Sequence, residues 1–167
     1  KMRKRSEVRS QKSEGKLKSL FCILNSVCCI LSFVLVSKPA LAAEWAIKLY
    51  PTPSQRSFPS AISVDAKGRV WFSELNSNKI AVFEPSTSVF FEYDVPTAKS
   101  DITDITADAN GIIWFTEQNG NQIGRFDPRT KTFKEYEIPT PNSQPIKLAV
   151  DSSGNIWFTE FAANKIG

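Results

Sequence analysis

The sequence has no histidine in 167 residues and only one methionine. Its three cysteines, Cys22, Cys28 and Cys29, all fall inside one apolar run near the N-terminus. Each gap removes a class of chemistry from this chain. Without histidine there is no imidazole base and no imidazole metal ligand. Without cysteine beyond residue 29 there is no disulfide framework and no thiolate site in the rest of the chain. The seven glycines form no phosphate-cradling loop, and no G-x-S-x-G nucleophile elbow occurs. Beyond residue 43 no apolar period of 3.6 appears, so nothing predicts an amphipathic helix.

The net charge of +4 suggests a nucleic-acid partner until the charges are placed. Residues 1–43 hold nine Lys and Arg against only Glu7 and Glu14. The remaining 124 residues carry 12 basic and 15 acidic groups, so the folded part is slightly acidic and no nucleic-acid partner is expected. The N-terminus itself has three zones: a positive stretch over 1–18, an apolar run from Leu20 to Val36, and KPALAAEW with Ala40 and Ala42 before a cleavage point. That order predicts a secretory signal peptide over residues 1–43, with the mature chain outside the cytoplasm, secreted or periplasmic. The alternative is an uncleaved anchor, which would be the only membrane contact. The apolar run is near the lower limit of about 17 residues for a bilayer span. Cys28 and Cys29 lack the small preceding residues of a lipid-acceptor site, since Val27 stands there, and read as apolar filler.

What the chain does have is repetition. Gly68–Ile80 reads GRVWFSELNSNKI, Gly111–Ile123 reads GIIWFTEQNGNQI, and Gly154–Ile166 reads GNIWFTEFAANKI. Trp71, Trp114 and Trp157 recur every 43 residues, as do Asp65, Asp108 and Asp151, and Glu74, Glu117 and Glu160. A fixed period of this length means a solenoid, a propeller or an array. One period contains four candidate strands: Ala61–Val64, Arg69–Ser73, Lys79–Phe83 and Val89–Val95. They are β-branched and aromatic runs separated by D-A-K-G, a polar loop and E-P-S-T-S. Four antiparallel strands in each repeat predict an all-β chain, a β-propeller of four-stranded blades. The blades are expected over about 59–101, 102–144 and 145–167, the last incomplete, within a partial propeller over 44–167. About two and a half blades are present.

WAIKLYPTP, from Trp45 to Pro53, aligns with FKEYEIPTP, from Phe133 to Pro141. It reads as an outer strand with no inner strands before it. Such a strand closes a ring by pairing with strands from the other end of the chain, which removes free sheet edges. The expectation is a fragment of a longer protein. At 43 residues per blade, a ring of about six or seven blades needs roughly 260–300 residues.

The repeated side chains each admit two readings. The tryptophans fit packing between blades, with a stacking platform for a ligand as the alternative. The glutamates fit a structural acid that accepts N–H bonds from the following loop. Converging on a central channel, they would instead offer oxygen ligands to a metal. A residue copied into every blade is symmetric, whereas acid–base catalysis needs groups in unlike environments. No catalytic, cofactor-binding or metal-binding residue is therefore assigned in this chain.

The signature G-x-[IV]-W-F-[ST]-E followed by N-[KQ]-I, with E-Y-[DE]-[IV]-P-T at the strand end, resembles the virginiamycin B lyase (streptogramin lyase) family over Trp45–Gly167. The resemblance implies a seven-bladed ring with a small-molecule ligand in the central channel. It also implies a magnesium-dependent lyase that opens a cyclic depsipeptide antibiotic by C–O elimination, with a histidine base. Magnesium would polarise the ester carbonyl and the base would take the proton α to it. The family's catalytic residues belong to later blades and have no counterpart here, so the chain itself is expected to be inactive. The alternatives are a non-catalytic extracytoplasmic binding propeller and a lactonase-like metal-dependent hydrolase.

The signal reading is checked by N-terminal sequencing of the exported protein. The mature chain is expected to begin near Ala43. Recovery of an intact Lys1–Ser37 segment in membranes would make it an anchor.

Overall fold

A computed structural model describes residues 46–167. The expected signal segment over 1–43 and Trp45 lie outside these residues. The chain divides into two units, Lys1–Leu49 and Tyr50–Gly167. Of the first, the described residues 46–49 are exposed and carry no regular structure. In the second, the counterpart of the expected outer strand shows no strand pairing over 50–53.

The second unit is all β and contains no helix. Eleven strands form three antiparallel sheets. The first sheet is β1 (Pro59–Val64), β2 (Val70–Glu74), β3 (Lys79–Glu84) and β4 (Val89–Asp94). The second is β5 (Ile105–Ala107), β6 (Ile113–Glu117), β7 (Gln122–Asp127) and β8 (Thr132–Glu137). The third is β9 (Pro145–Val150), β10 (Ile156–Glu160) and β11 (Lys165–Ile166). Within each sheet spatial order follows chain order, so every connection is a hairpin. β1 touches β5 and β5 touches β9, while β2 meets β5 and β6 meets β9. The first strands of successive sheets therefore stand side by side, and each sheet packs its second strand on the next sheet's first. That is the blade arrangement of a β-propeller, present here as two full blades and part of a third.

The hairpins follow from the repeated turn residues. Asp65 Oδ1 accepts the N–H groups of Lys67 and Arg69 at 2.9 and 3.0 Å, and Gly68 takes φ +76, a conformation that costs glycine little. The carboxylate's other oxygen accepts the Trp71 indole N–H at 3.0 Å. Asp108 and Asp151 repeat this with Trp114 and Trp157, at 3.1 and 3.0 Å. One acid thus shapes the turn and orients the tryptophan of the strand that follows.

The W-F-[ST]-E motif now separates into four tasks. The pairing of β1 with β2 shifts register between Pro59 and Ile62, leaving an unpaired backbone donor beside the bulge. The Ser73 hydroxyl accepts that donor, Ala61 N–H, at 3.0 Å. Thr116 accepts Asp104 N–H at 2.9 Å and Thr159 accepts Lys147 N–H at 3.1 Å in the same way. The hydroxyl repairs the irregularity that brings the inner strand round to the core. Phe115 of the second sheet is fully buried, and its ring occupies the space above Gly124 that a Cβ would enter.

The main core lies between the first and second sheets and includes Trp71, Ile80, Val82, Ile105, Ile113 and Phe126. Trp71 is fully buried, with Phe126 from the next sheet 5.9 Å away and Tyr93 stacked at 6.3 Å. Trp114 is partly buried against Tyr136 and Arg125. Trp157, on the three-stranded sheet, is 51% exposed. The depth of each tryptophan follows from whether another sheet covers it.

This gradient has a measurable consequence. In urea denaturation of the chain, Trp71→Ala is expected to cost about 3–5 kcal/mol, the range for truncating a buried large aromatic. Trp157→Ala, already half in water, is expected to cost well under half of that. Equal losses at the two sites would contradict packing as the role of the repeated indole.

Candidate functional site

The chemistry-bearing residues gather where β2 and β6 end. Glu74 and Glu117 close these strands and are fully buried, and Glu160 closes β10 and is nearly so. Sequence reasoning gave these acids the N–H groups of the following loop. The structure gives those donors elsewhere. Leu75 and Asn76 donate to the carbonyls of Phe58 and Ser57 at 3.3 and 3.0 Å, and Gln118 and Asn119 to those of Asp101 and Ser100 at 3.1 and 3.0 Å. Both carboxylate oxygens of Glu74 and of Glu117, and Oε2 of Glu160, have no hydrogen-bond partner. Burial pushes the Glu74 carboxyl up, and nearby Glu92 adds to this, while Ser57 and Lys79 oppose it. Burial also pushes Glu117 up, to about 8, with the negative Glu135 raising it further and Ser100 offsetting part. The Ser100 hydroxyl donates to Asn78 Oδ1 at 3.0 Å.

In each full blade a set of repeated polar contacts fixes the loop that follows the outer strand. Asn78 has φ 56, a left-handed backbone that asparagine tolerates better than most side chains. Its Nδ2 donates to Val95 O and Thr97 O at 3.1 and 3.0 Å, and its Oδ1 accepts Ser100 N–H at 2.8 Å. Asn121 repeats every one of these bonds with Ile138, Thr140 and Ser143. The loop that leaves each blade is thereby tied to that blade's own third strand. A second tie runs from the outer strand: Glu92 accepts Ser54 N–H and Oγ–H at 3.0 Å each, and Glu135 accepts Thr97 N–H and Oγ–H at 3.0 and 3.1 Å. Burial works to raise the Glu92 carboxyl, but the Lys79 ammonium and the Ser54 donors outweigh it and hold Glu92 low. Sequence reasoning missed both ties. The signal was present, since Asn78, Asn121 and Asn164 keep the period, as do Ser57, Ser100 and Ser143.

The repeated glutamates do not meet. Among the described residues no three His, Cys, Asp or Glu side chains stand together in a group that would hold a metal. An apolar hollow lies between the second and third sheets, lined by Trp114, Ile123, Tyr136, Ile138, Ile156 and Phe158. One interface earlier the same positions, Trp71 and Tyr93 among them, pack on Phe126. The hollow is therefore a blade interface in character rather than a polar binding site.

Comparison with known proteins resolves the family. The family model described as "Virginiamycin B lyase family" matches residues 40–167. The chain belongs to the virginiamycin B lyase family. Selenomethionine-substituted virginiamycin B lyase from Staphylococcus aureus is 35% identical, covering 68% of this chain and 38% of that one with a TM-score of 0.65. A streptogramin B lyase structure is 32% identical, covering 72% and 40% with a TM-score of 0.69. A catalytically inactive histidine-to-alanine variant of the S. aureus lyase with quinupristin is 34% identical, covering 75% and 42% with a TM-score of 0.70. No curated protein matches. The chain spans about two fifths of the length of these virginiamycin B lyase relatives.

The buried glutamate makes stability depend on pH. An acid raised from 4.5 to about 8 holds its proton in the folded state while the unfolded state has lost it. Its contribution is therefore intact below pH 4.5 and is lost as pH climbs to about 8. Glu117→Gln removes that titration. The urea midpoint of the parent chain is expected to fall between pH 5 and 8.5 more steeply than that of the variant. The difference should be on the order of 3 kcal/mol, at about 1.4 kcal/mol per pH unit of unequal proton occupancy. Parallel pH profiles would show that Glu117 ionises freely.

Proposed function

We propose that this chain supplies the first blades of an exported propeller lyase that opens cyclic depsipeptide antibiotics of the streptogramin B type, and that the reacting residues lie on blades outside it. The family match over residues 40–167 carries the reading. The quinupristin-bearing S. aureus relative is inactive as a histidine-to-alanine variant, and the present 167 residues contain no histidine. The magnesium that the family implies finds no fitting donor group among the described residues, so no step of the elimination is assigned to this chain. Its own residues supply the rigid inner strands that hold the ring open: Leu148 N–H reaches Asp104 Oδ2 at 3.0 Å, and Thr103 Oγ reaches Ile146 O at 3.1 Å. The signal segment carries the extracytoplasmic assignment. A non-catalytic binding propeller is the second reading, favoured by the symmetry of the repeated acids.

A chimera tests the proposal. Residues 44–167 replace the matching N-terminal blades of the S. aureus enzyme, and ring opening of quinupristin is followed by mass spectrometry. The chimera is expected to open the ring with magnesium present, while this chain alone does not open it under any condition. A folded but inactive chimera would favour the binding propeller, and activity of the chain alone would overturn the placement of the reacting residues.

A further inference from the structure

Glycine directly follows asparagine twice in this chain, at Asn110–Gly111 and at Asn119–Gly120. In such a pair no side chain stands between the glycine nitrogen and the asparagine carboxamide, and asparagine is counted among the thermolabile residues. Both asparagines are exposed, but their glycines are held differently. Gly111 belongs to a turn. Its N–H donates to Asp108 O at 3.0 Å, and the Asp108 carboxylate accepts the flanking N–H groups of Asn110 and Ile112 at 2.8 and 2.9 Å. An amide proton engaged in this way, beside a negative charge, is hard to remove. Gly120 lies in the loop between β6 and β7, and among the hydrogen bonds of the described residues none engages its N–H. The Asn119 carboxamide reaches only Lys99 O, at 3.5 Å, the limit of hydrogen-bond length. Its counterpart in the first sheet, Asn76, holds Arg56 O at 3.0 Å and is followed by Ser77. Asn142 precedes Ser143, whose N–H is given to Asn121 Oδ1 at 2.7 Å.

We infer that Asn119 is a site of self-modification, converting to aspartate and isoaspartate in the folded chain while Asn110 stays an amide. The Gly120 nitrogen forms a bond to Asn119 Cγ, the Cγ–Nδ2 bond breaks, and ammonia leaves with the proton that the Gly120 nitrogen gave up. A water molecule then opens the cyclic imide at either carbonyl. Opening at the side-chain carbonyl leaves aspartate, and opening at the backbone carbonyl leaves isoaspartate, with the chain routed through Cγ. Either product replaces a neutral amide by a negative charge, and isoaspartate also lengthens the backbone of the loop. That loop is pinned along its length. Glu117 pairs with Gln122 in register, Asn119 N–H donates to Ser100 O at 3.0 Å, and Asn121 grips Ile138, Thr140 and Ser143. A longer backbone between these ties strains them. The site is independent of the proposed lyase activity, since it touches no substrate.

The test incubates the full chain in warm neutral buffer, beside a sample unfolded in urea, and follows both asparagines by peptide mapping. Cleavage after glutamate separates them, because Glu117 lies between. In the folded chain the Asn119 peptide is expected to gain the mass of an amide-to-acid exchange on the order of tenfold faster than the Asn110 peptide, the scale of one retained hydrogen bond. It should elute as two products. Unfolding should erase the difference between the sites. Asn119→Ala, with the side chain that Ala162 carries at this place in the third repeat, should keep its melting temperature through the incubation while that of the parent falls. Equal rates at the two sites in the folded chain, faster conversion at Asn110, or no gain at Asn119 overturns the inference. A melting temperature that falls as far in Asn119→Ala as in the parent overturns the strain assigned to the loop.

Discussion

The indole N–H of one tryptophan, delivered to the carboxylate of one turn aspartate, is the contact on which each blade depends. Asp65 is already fixed by two backbone donors when Trp71 reaches it. Burial works to raise its pKa, but the Trp71 bond and the donors of Arg69 and Lys67 outweigh this and hold it below the usual carboxylate range. The acid therefore stays charged and keeps accepting. With the ring pinned at its polar edge, its apolar faces are presented to Tyr93 and Phe126. Turn, strand and blade interface are set by a single side-chain pair, and copying the pair copies all three.

The inner polar residues obey a different logic. The hydroxyl after each motif phenylalanine serves the backbone, accepting an N–H at or just before the neighbouring first strand, beside a register shift in the first and third sheets. The glutamate after it serves nothing visible, and keeping a carboxylate there without a partner costs stability. A fold that carries such a residue in every blade holds an acid ready wherever a local change brings a cation or a second acid beside it. In the first sheet Lys79 pairs with Glu92 of the outer strand and leaves both Glu74 oxygens without a partner. In the second, Gln122 stands at the lysine position, and the Glu117 oxygens are unpartnered as well.

Much of the fold was legible from residue type and spacing. The four strands of the first sheet begin and end within two residues of where the Val, Ile and aromatic runs predicted, whereas the outer strand expected over 45–53 shows no pairing in its described part. Propeller class followed from the 43-residue period, and the family from the motif. The bonding of Glu74 and Glu117 was not legible, since a strand-end acid beside an asparagine-rich loop looks like an N–H acceptor. Only the three-dimensional path shows that carbonyls from the preceding loop reach those N–H groups first. The unequal burial of Trp71, Trp114 and Trp157 was likewise invisible, because identical letters carry no record of which face has a neighbour.

The asparagine ties also bear on how this sequence can change in length. Asn78 grips residues 17, 19 and 22 positions ahead, and Asn121 grips the same offsets in the next blade. A single inserted or deleted residue within that span would break several bonds at once. It would also turn the outer strand's side chains to the opposite face. Small insertions and deletions are therefore the changes the span resists most, whereas adding or removing a whole repeat leaves every tie intact. Length in such a chain is counted in blades.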